Sequence, residues 1–208
     1  MNKIAIDEIK FSCIITVCDR EEFISQAIES ILSQSIDAFE IIIIDNGYNS
    51  VAIRSDLFER VKVYKVIPYI GVAQALNFGV SLSSGNVVAF LEDDDYWNSK
   101  YLENIKKEFC NGKDFVISRI DKLIDGKIEP YKDAVNKVDI STLLVTNPGV
   151  TISNLSVLKK SIFEINGFDT KLATSADKAL IIDLLSSGHY CSVLSSNQVI
   201  GRFHSGDR

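Results

Sequence analysis

Three short runs in the first half of the chain are apolar almost without interruption: FSCIITV at 11–17, EIIII at 40–44 and NVVAFL at 86–91. A strand with one wet face alternates polar and apolar residues. Runs like these fit strands buried on both faces, as in a parallel sheet sandwiched between helices. VKVYKVI (61–67) supplies a further strand. Between the strands the period changes to that of a helix. Phe23, Ala27, Ile28, Ile31 and Leu32 share one helical face, and Asp19 with Glu22 has the spacing of a capping box ahead of them. Residues 51–60 predict a short helix. Gly71 precedes a helix presenting Val72, Ala75, Leu76 and Val80, which Gly85 is expected to close in the left-handed conformation. The β-α-β-α-β-α-β series predicts an α/β fold, a three-layer sandwich around a mostly parallel, doubly wound sheet.

The second half is less regular. Asp125-Gly126 between two apolar pairs signals a tight hairpin. Residues 130–149, polar and containing Pro130 and Pro148, read as a loop. Residues 159–165 predict a helix ending at Gly167. Ser175 is placed to cap another helix reaching about Ser187, with Leu180, Ile181, Leu184 and Leu185 inward, and YCSVL and QVIGRF read as two late strands. With no repeat and no linker, a single domain over 1–208 is expected. The net charge of −6 argues against nonspecific nucleic-acid binding, which needs a basic face. Cys13, Cys18, Cys110 and Cys191 form no metal-binding or redox spacing and read as free thiols in a reducing compartment. The N-terminus lacks a signal-peptide apolar core, and no run approaches the ~18–20 apolar residues that span a bilayer. The expected location is cytoplasmic, with peripheral contact to the inner face of a membrane compatible.

In open parallel sheets, ligands bind beyond the carboxyl ends of the strands. Three such ends carry polar residues here: Thr16-Val17-Cys18-Asp19-Arg20, Asp45-Asn46-Gly47 and Glu92-Asp93-Asp94-Asp95. Four adjacent carboxylates after a core strand call for a cation, and oxygen-only ligation suits Mg²⁺ or Mn²⁺. The plainer alternative is a solvated helix start with Asp95 as its cap. Asp45 fits a hydrogen bond to a base or ribose, or an Asx turn with Gly47. Thr16 and Cys18 either line the same pocket or pack a strand end. Asn77, counted with the nucleotide-sugar-binding residues, either orients a strand-end loop or satisfies local backbone, and His204 is either a ligand or structural. Glycine is missing from VCDREEF after the first strand, which disfavours a nucleotidyltransferase or a dinucleotide-dependent dehydrogenase.

FSCIITVCDREEFISQAIESILSQS, EIIIIDNG, GVAQALNFGVSLSSGNVVAFLEDDDYW and INGFDTKLATSADKALIIDLL, in this order and spacing, resemble the inverting family 2 glycosyltransferases of GT-A fold. The resemblance implies transfer of a sugar from a nucleotide-sugar donor, usually a UDP-sugar, to a saccharide or lipid-linked saccharide hydroxyl, with bacterial surface polysaccharide as the usual setting. It implies a donor half (1–97) and an acceptor half (98–208). By position it places Thr16, Cys18 and Asp45 at the nucleotide, Asp93 at the ribose or metal, Asp94 as the main metal ligand and Asp177 as the catalytic base. RFHSG resembles a segment that brings a histidine, here His204, to the diphosphate or metal. The chain departs from the family pattern at Cys18, Asn46, Glu92 and Ala176, which leaves the D-x-D register open between 92/94 and 93/95. The departures also keep a second reading in play, a non-catalytic binding or assembly member of the fold. No Q-x-x-R-W is present, which argues against a processive polymerase.

Overall fold

A computed structural model describes residues 4–131 and 137–203. In chain order the elements are β1 (Phe11–Val17), α1 (Ile24–Leu32), β2 (Glu40–Asp45), α2 (Ser55–Phe58), β3 (Lys62–Lys65), α3 (Val72–Leu82), β4 (Val87–Glu92) and β5 (Tyr96–Trp97). There follow α4 (Tyr101–Cys110), β6 (Phe115–Ile124), β7 (Lys127–Pro130), α5 (Ile140–Val145), β8 (Leu155–Leu158), α6 (Lys159–Glu164), α7 (Ala176–Ser186) and β9 (Cys191–Arg202). The sheet runs β3-β2-β1-β4-β8-β6-β9-β5, with β7 beside β6. Its first four strands are parallel, as their apolar runs require, while β8 enters antiparallel between β4 and β6.

Every residue of β1 is buried. Cys13, Ile15 and Val17 pack towards α1 and α4, whereas Ile14 joins Ile42, Ile44 and residues of α3 and α7 on the other face. Strand period two thus sends successive side chains into two separate apolar layers, which makes the three-layer sandwich. No helix among the described residues is long and apolar enough to cross a membrane.

Several local expectations are corrected. Asp19 and Glu22 form no capping box: α1 starts at Ile24 with Phe23 at its cap and no side-chain cap bond. Asp19 has φ 51° and turns its carboxylate towards other loops. Gly85 is not a left-handed helix end, since α3 stops at Leu82 with extended Ser83 as its cap. A Cβ at Gly85 would run into the Lys10 carbonyl, so close backbone approach is what requires glycine there. The 130–149 loop contains α5, capped by Asp139 through Thr142 N at 2.9 Å. Ser175 precedes α7 as expected but in the left-handed conformation, with no side-chain cap bond. The two late strands are one, β9. Asp125 (φ 49°) and Gly126 (φ 77°) do make the two-residue hairpin turn.

At the amino ends of the strands, Glu40 ties three elements together. It accepts from Ser12 Oγ (2.7 Å), Ser84 N (2.5 Å) and Lys62 Nζ (2.7 Å). Burial would raise this carboxyl, but the bonds from Lys62, Ser12 and Ser84 outweigh it and hold it below the usual glutamate range. A depressed folded value stabilises the protein above the unfolded pKa of ~4.3, and that contribution disappears as pH falls through the folded value. Glu40→Gln is expected to lower stability at pH 7 by about 1–3 kcal/mol and to flatten the acid limb of a urea-stability profile. An unchanged acid limb would show that Glu40 contributes no linkage.

Candidate active site

Register brings the three polar strand ends level. Thr16 lies opposite Ile44 on β2 and opposite Glu92 on β4, and Val17 lies opposite Asp45. The residues that follow therefore meet on one rim. Asp19 joins its loops, accepting from Tyr48 N (3.1 Å), Asn49 N (3.0 Å) and Tyr69 Oη (2.6 Å). Asp45 is buried and accepts from Gly47 N (3.1 Å), Val51 N (2.8 Å) and Lys65 Nζ (3.0 Å). It makes the Asx turn with Gly47 and ties the 47–51 loop to β3 through Lys65. Cys18 is half-buried, with its thiol 3.8 Å from the Asn46 carbonyl; burial, then the charges of Asp19 and Asp93, raise its pKa.

The acidic run divides its carboxylates between two directions. Asp95 points inward, accepting from Ser153 Oγ (2.5 Å) and Arg202 N (2.8 Å), while Ser153 Oγ also accepts from Glu92 N (3.1 Å). It caps no helix, because α4 begins only at Tyr101. Asp93 and Asp94 converge on Arg20, whose guanidinium donates to Asp93 Oδ1 at 2.6 Å and Asp94 Oδ2 at 2.8 Å. Arg20 thus pairs Asp93 with Asp94 at the rim. Burial pushes the Asp93 carboxyl up to about 7, Arg20 opposes that, and the Asp94 charge adds to it. Such a group needs a cation beside it to stay ionised.

Asp93 Oδ2 and Asp94 Oδ1 are buried and have no hydrogen-bond partner among the described residues. Among the described residues no group of three or more His, Cys, Asp or Glu forms a metal cage. Two buried carboxylate oxygens without partners nonetheless fit the way Mg²⁺ and Mn²⁺ are held in phosphate chemistry. One or two protein carboxylates bind the ion, and substrate phosphate and water complete its shell. His204 lies outside the described residues.

A cavity of about 260 Å³ opens beside the run, with Glu92, Asp95, Ser175 and Asp177 among its lining residues. Asp177 stands in the first turn of α7, half-buried, with its Oδ1 held by Lys178 N at 2.8 Å. The rival carboxylates are elsewhere: Asp169 is exposed in its own turn with Lys171 N, and Asp183 is exposed. Asn77 lines a separate, open groove of about 610 Å³. Its amide donates to the Phe168 carbonyl (2.9 Å) and accepts from Phe168 N (2.8 Å), which makes it a loop-orienting residue of the segment leading to Asp177.

From sequence alone Arg20 had no assigned role, Asp19 read as part of a capping box, and Ser153 and Arg202 went unnoticed. A single arginine at a strand end, across the sheet from an acidic run, is a readable signal for the first. Ser153 and Arg202 carry none, because they reach the run from β8's approach and β9's far end. Arg202 donates from Nε to the Asp94 carbonyl (3.1 Å) and lies 3.8 Å over the Phe23 ring, bracing the run from behind.

The family model described as glycosyl transferase family 2 matches residues 12–164. An uncharacterized glycosyltransferase of Rickettsia bellii is 31% identical over 201 residues, which is 89% of this chain and 28% of that protein. An uncharacterized glycosyltransferase of Acanthamoeba polyphaga mimivirus is 22% identical, with 75% of each chain covered. The chain therefore spans just over a quarter of the Rickettsia relative's length. Among solved structures, residues 1–349 of S. aureus TarS in complex with UDP-GlcNAc superpose with a TM-score of 0.75 at 16% identity, over 95% of this chain and 60% of that one.

Proposed function

This chain belongs to glycosyl transferase family 2, and from that premise we propose that it moves a sugar from a UDP-sugar to an acceptor hydroxyl with inversion at the anomeric carbon. The observation that carries the reading is that Asp177 and two residues of the acidic run, Glu92 and Asp95, line one cavity of about 260 Å³, with Asp93 and Asp94 between those two in the chain. A single displacement needs two things within one sugar's reach: a carboxylate to take the acceptor proton, and a place where a departing diphosphate is held.

Residues 1–97 form the donor half. Thr16 and Cys18 border the nucleotide and Asp45 shapes the pocket floor, with Asp93 and Asp94 at the diphosphate. Residues 98–208 form the acceptor half, bringing Asp177 to the opposite wall. As the acceptor oxygen bonds to the anomeric carbon, Asp177 removes its proton and the bond to the nucleoside diphosphate breaks. Mg²⁺ or Mn²⁺ held by Asp93 and Asp94 would offset the charge developing on the leaving group. UDP as the donor nucleotide is supported by TarS, whose fold this chain shares and which was solved with UDP-GlcNAc. A saccharide or lipid-linked acceptor in surface polysaccharide synthesis completes the proposal.

The test is a panel of nucleotide sugars, measured for binding and slow hydrolysis with and without Mn²⁺. A UDP-sugar is expected to bind and to release UDP only with the metal. Failure of every nucleotide sugar to bind in Mn²⁺ or Mg²⁺ would overturn the assignment.

A further inference from the structure

We propose that Arg20 is a resident cation: it occupies the Asp93–Asp94 pair while the donor site is empty, gives the pair up to the divalent metal, and then turns to the donor diphosphate. This rests on the glycosyl-transfer reading and adds a residue and an order of events to it.

Four observations support the exchange. First, one guanidinium forks across two different carboxylates, at 2.6 and 2.8 Å. Both aspartates are almost fully buried, whereas the Arg20 side chain is half exposed. Second, the fork satisfies one oxygen of each carboxylate and leaves Asp93 Oδ2 and Asp94 Oδ1 buried without a partner among the described residues. One positive charge thus faces two negative ones, and acceptor capacity remains for a cation of higher charge. Third, the other cations of the rim are fixed elsewhere. Lys65 bonds Asp45 and the Asn49 carbonyl. Arg202 bonds Gln26 and the Asp94 carbonyl and covers Phe23. Among the described residues, the Arg20 guanidinium donates only to Asp93 and Asp94. Fourth, the neighbouring Asp19 is anchored by three hydrogen bonds, so the backbone stays in place when the arm swings.

The physical chain is short. A divalent ion on the two carboxylates cancels the field that holds the guanidinium and repels it. Arginine's planar fork matches phosphate as well as carboxylate, so the released group is already shaped for a diphosphate arriving at the same rim. When metal and nucleoside diphosphate leave, Arg20 returns and keeps the buried carboxylates neutralised.

The probe is Mn²⁺ alone, titrated into wild type and Arg20→Gln. Removing the competitor is expected to tighten Mn²⁺ binding about tenfold or more, while UDP affinity at saturating Mn²⁺ falls by a similar factor. On wild type, phenylglyoxal labelling of Arg20, read by peptide mass spectrometry, is expected to rise on adding Mn²⁺ and to fall when UDP follows. The labelling decides the matter if the variant does not fold. Unchanged or weaker Mn²⁺ binding in a folded Arg20→Gln, or labelling that ignores Mn²⁺, overturns the exchange; intact Mn²⁺-dependent UDP binding by wild type in that case leaves the proposed function standing. If wild type binds neither Mn²⁺ nor UDP, both readings fall.

Discussion

Asp177→Asn is expected to lower sugar transfer by about 10²-fold or more while leaving Mn²⁺-dependent UDP binding at wild-type strength. Asparagine keeps the shape of the side chain and an oxygen for the Lys178 N–H that now bonds Asp177 Oδ1 at 2.8 Å. It keeps that bond and removes the basicity. The competing role is that of an acid in the first turn of α7, favoured by the helix dipole and worth only ~0.3–1 kcal/mol of stability. Melting temperature and turnover therefore separate the two roles: a dipole role moves the first slightly, and a base role moves the second greatly. Turnover is read as UDP release in Mn²⁺, to an acceptor or to water. Near-normal release by the variant would remove Asp177 from the mechanism. The search would then pass to Asp169 or His204.

The second large effect separates residues that the sequence cannot tell apart. Asp94→Asn is expected to reduce turnover by ~10²–10³-fold, the scale of losing one preorganised electrostatic group, and to abolish the Mn²⁺ enhancement of UDP binding seen by calorimetry. Asp95→Asn is expected to act through stability instead. Asp95 is buried against Ser153 and the backbone of Arg202, so its loss weakens the seat of β9 behind the run. A double comparison is decisive: if Asp95→Asn folds normally and loses the metal effect while Asp94→Asn keeps it, the rim pair has been misassigned.

Much of the fold is legible in the chain itself. The unbroken apolar runs at 11–17, 40–44 and 86–91 allow only strands covered on both faces, and β1, β2 and β4 are those strands. That Thr16 is level with Glu92, and Asp45 one residue further along beside Val17, follows from parallel pairing of runs of similar length. Helix α4 was not among the sequence expectations, although Tyr101, Leu102, Ile105 and Phe109 recur at helical spacing and are all buried. The errors fall where a residue's local preference competes with a distant partner. Asp19 looks like a helix cap in sequence, yet it bonds backbone and side-chain groups 29 to 50 residues away. Gly85 looks like a helix end, yet it is glycine because Lys10 passes so close.

The sequence by itself determined the parallel half of the sheet and the strand edge that carries the acidic run, because burial period and strand direction are local properties. Which carboxylate faces which way was decided only by tertiary structure. Glu92, Asp93, Asp94 and Asp95 are chemically near-equivalent neighbours, and their roles differ because Arg20 approaches from β1, Ser153 and Arg202 come from the second half of the chain, and Asp177 arrives on α7. Electrostatic interaction depends on distance through space, and no reading of spacing along the chain measures that.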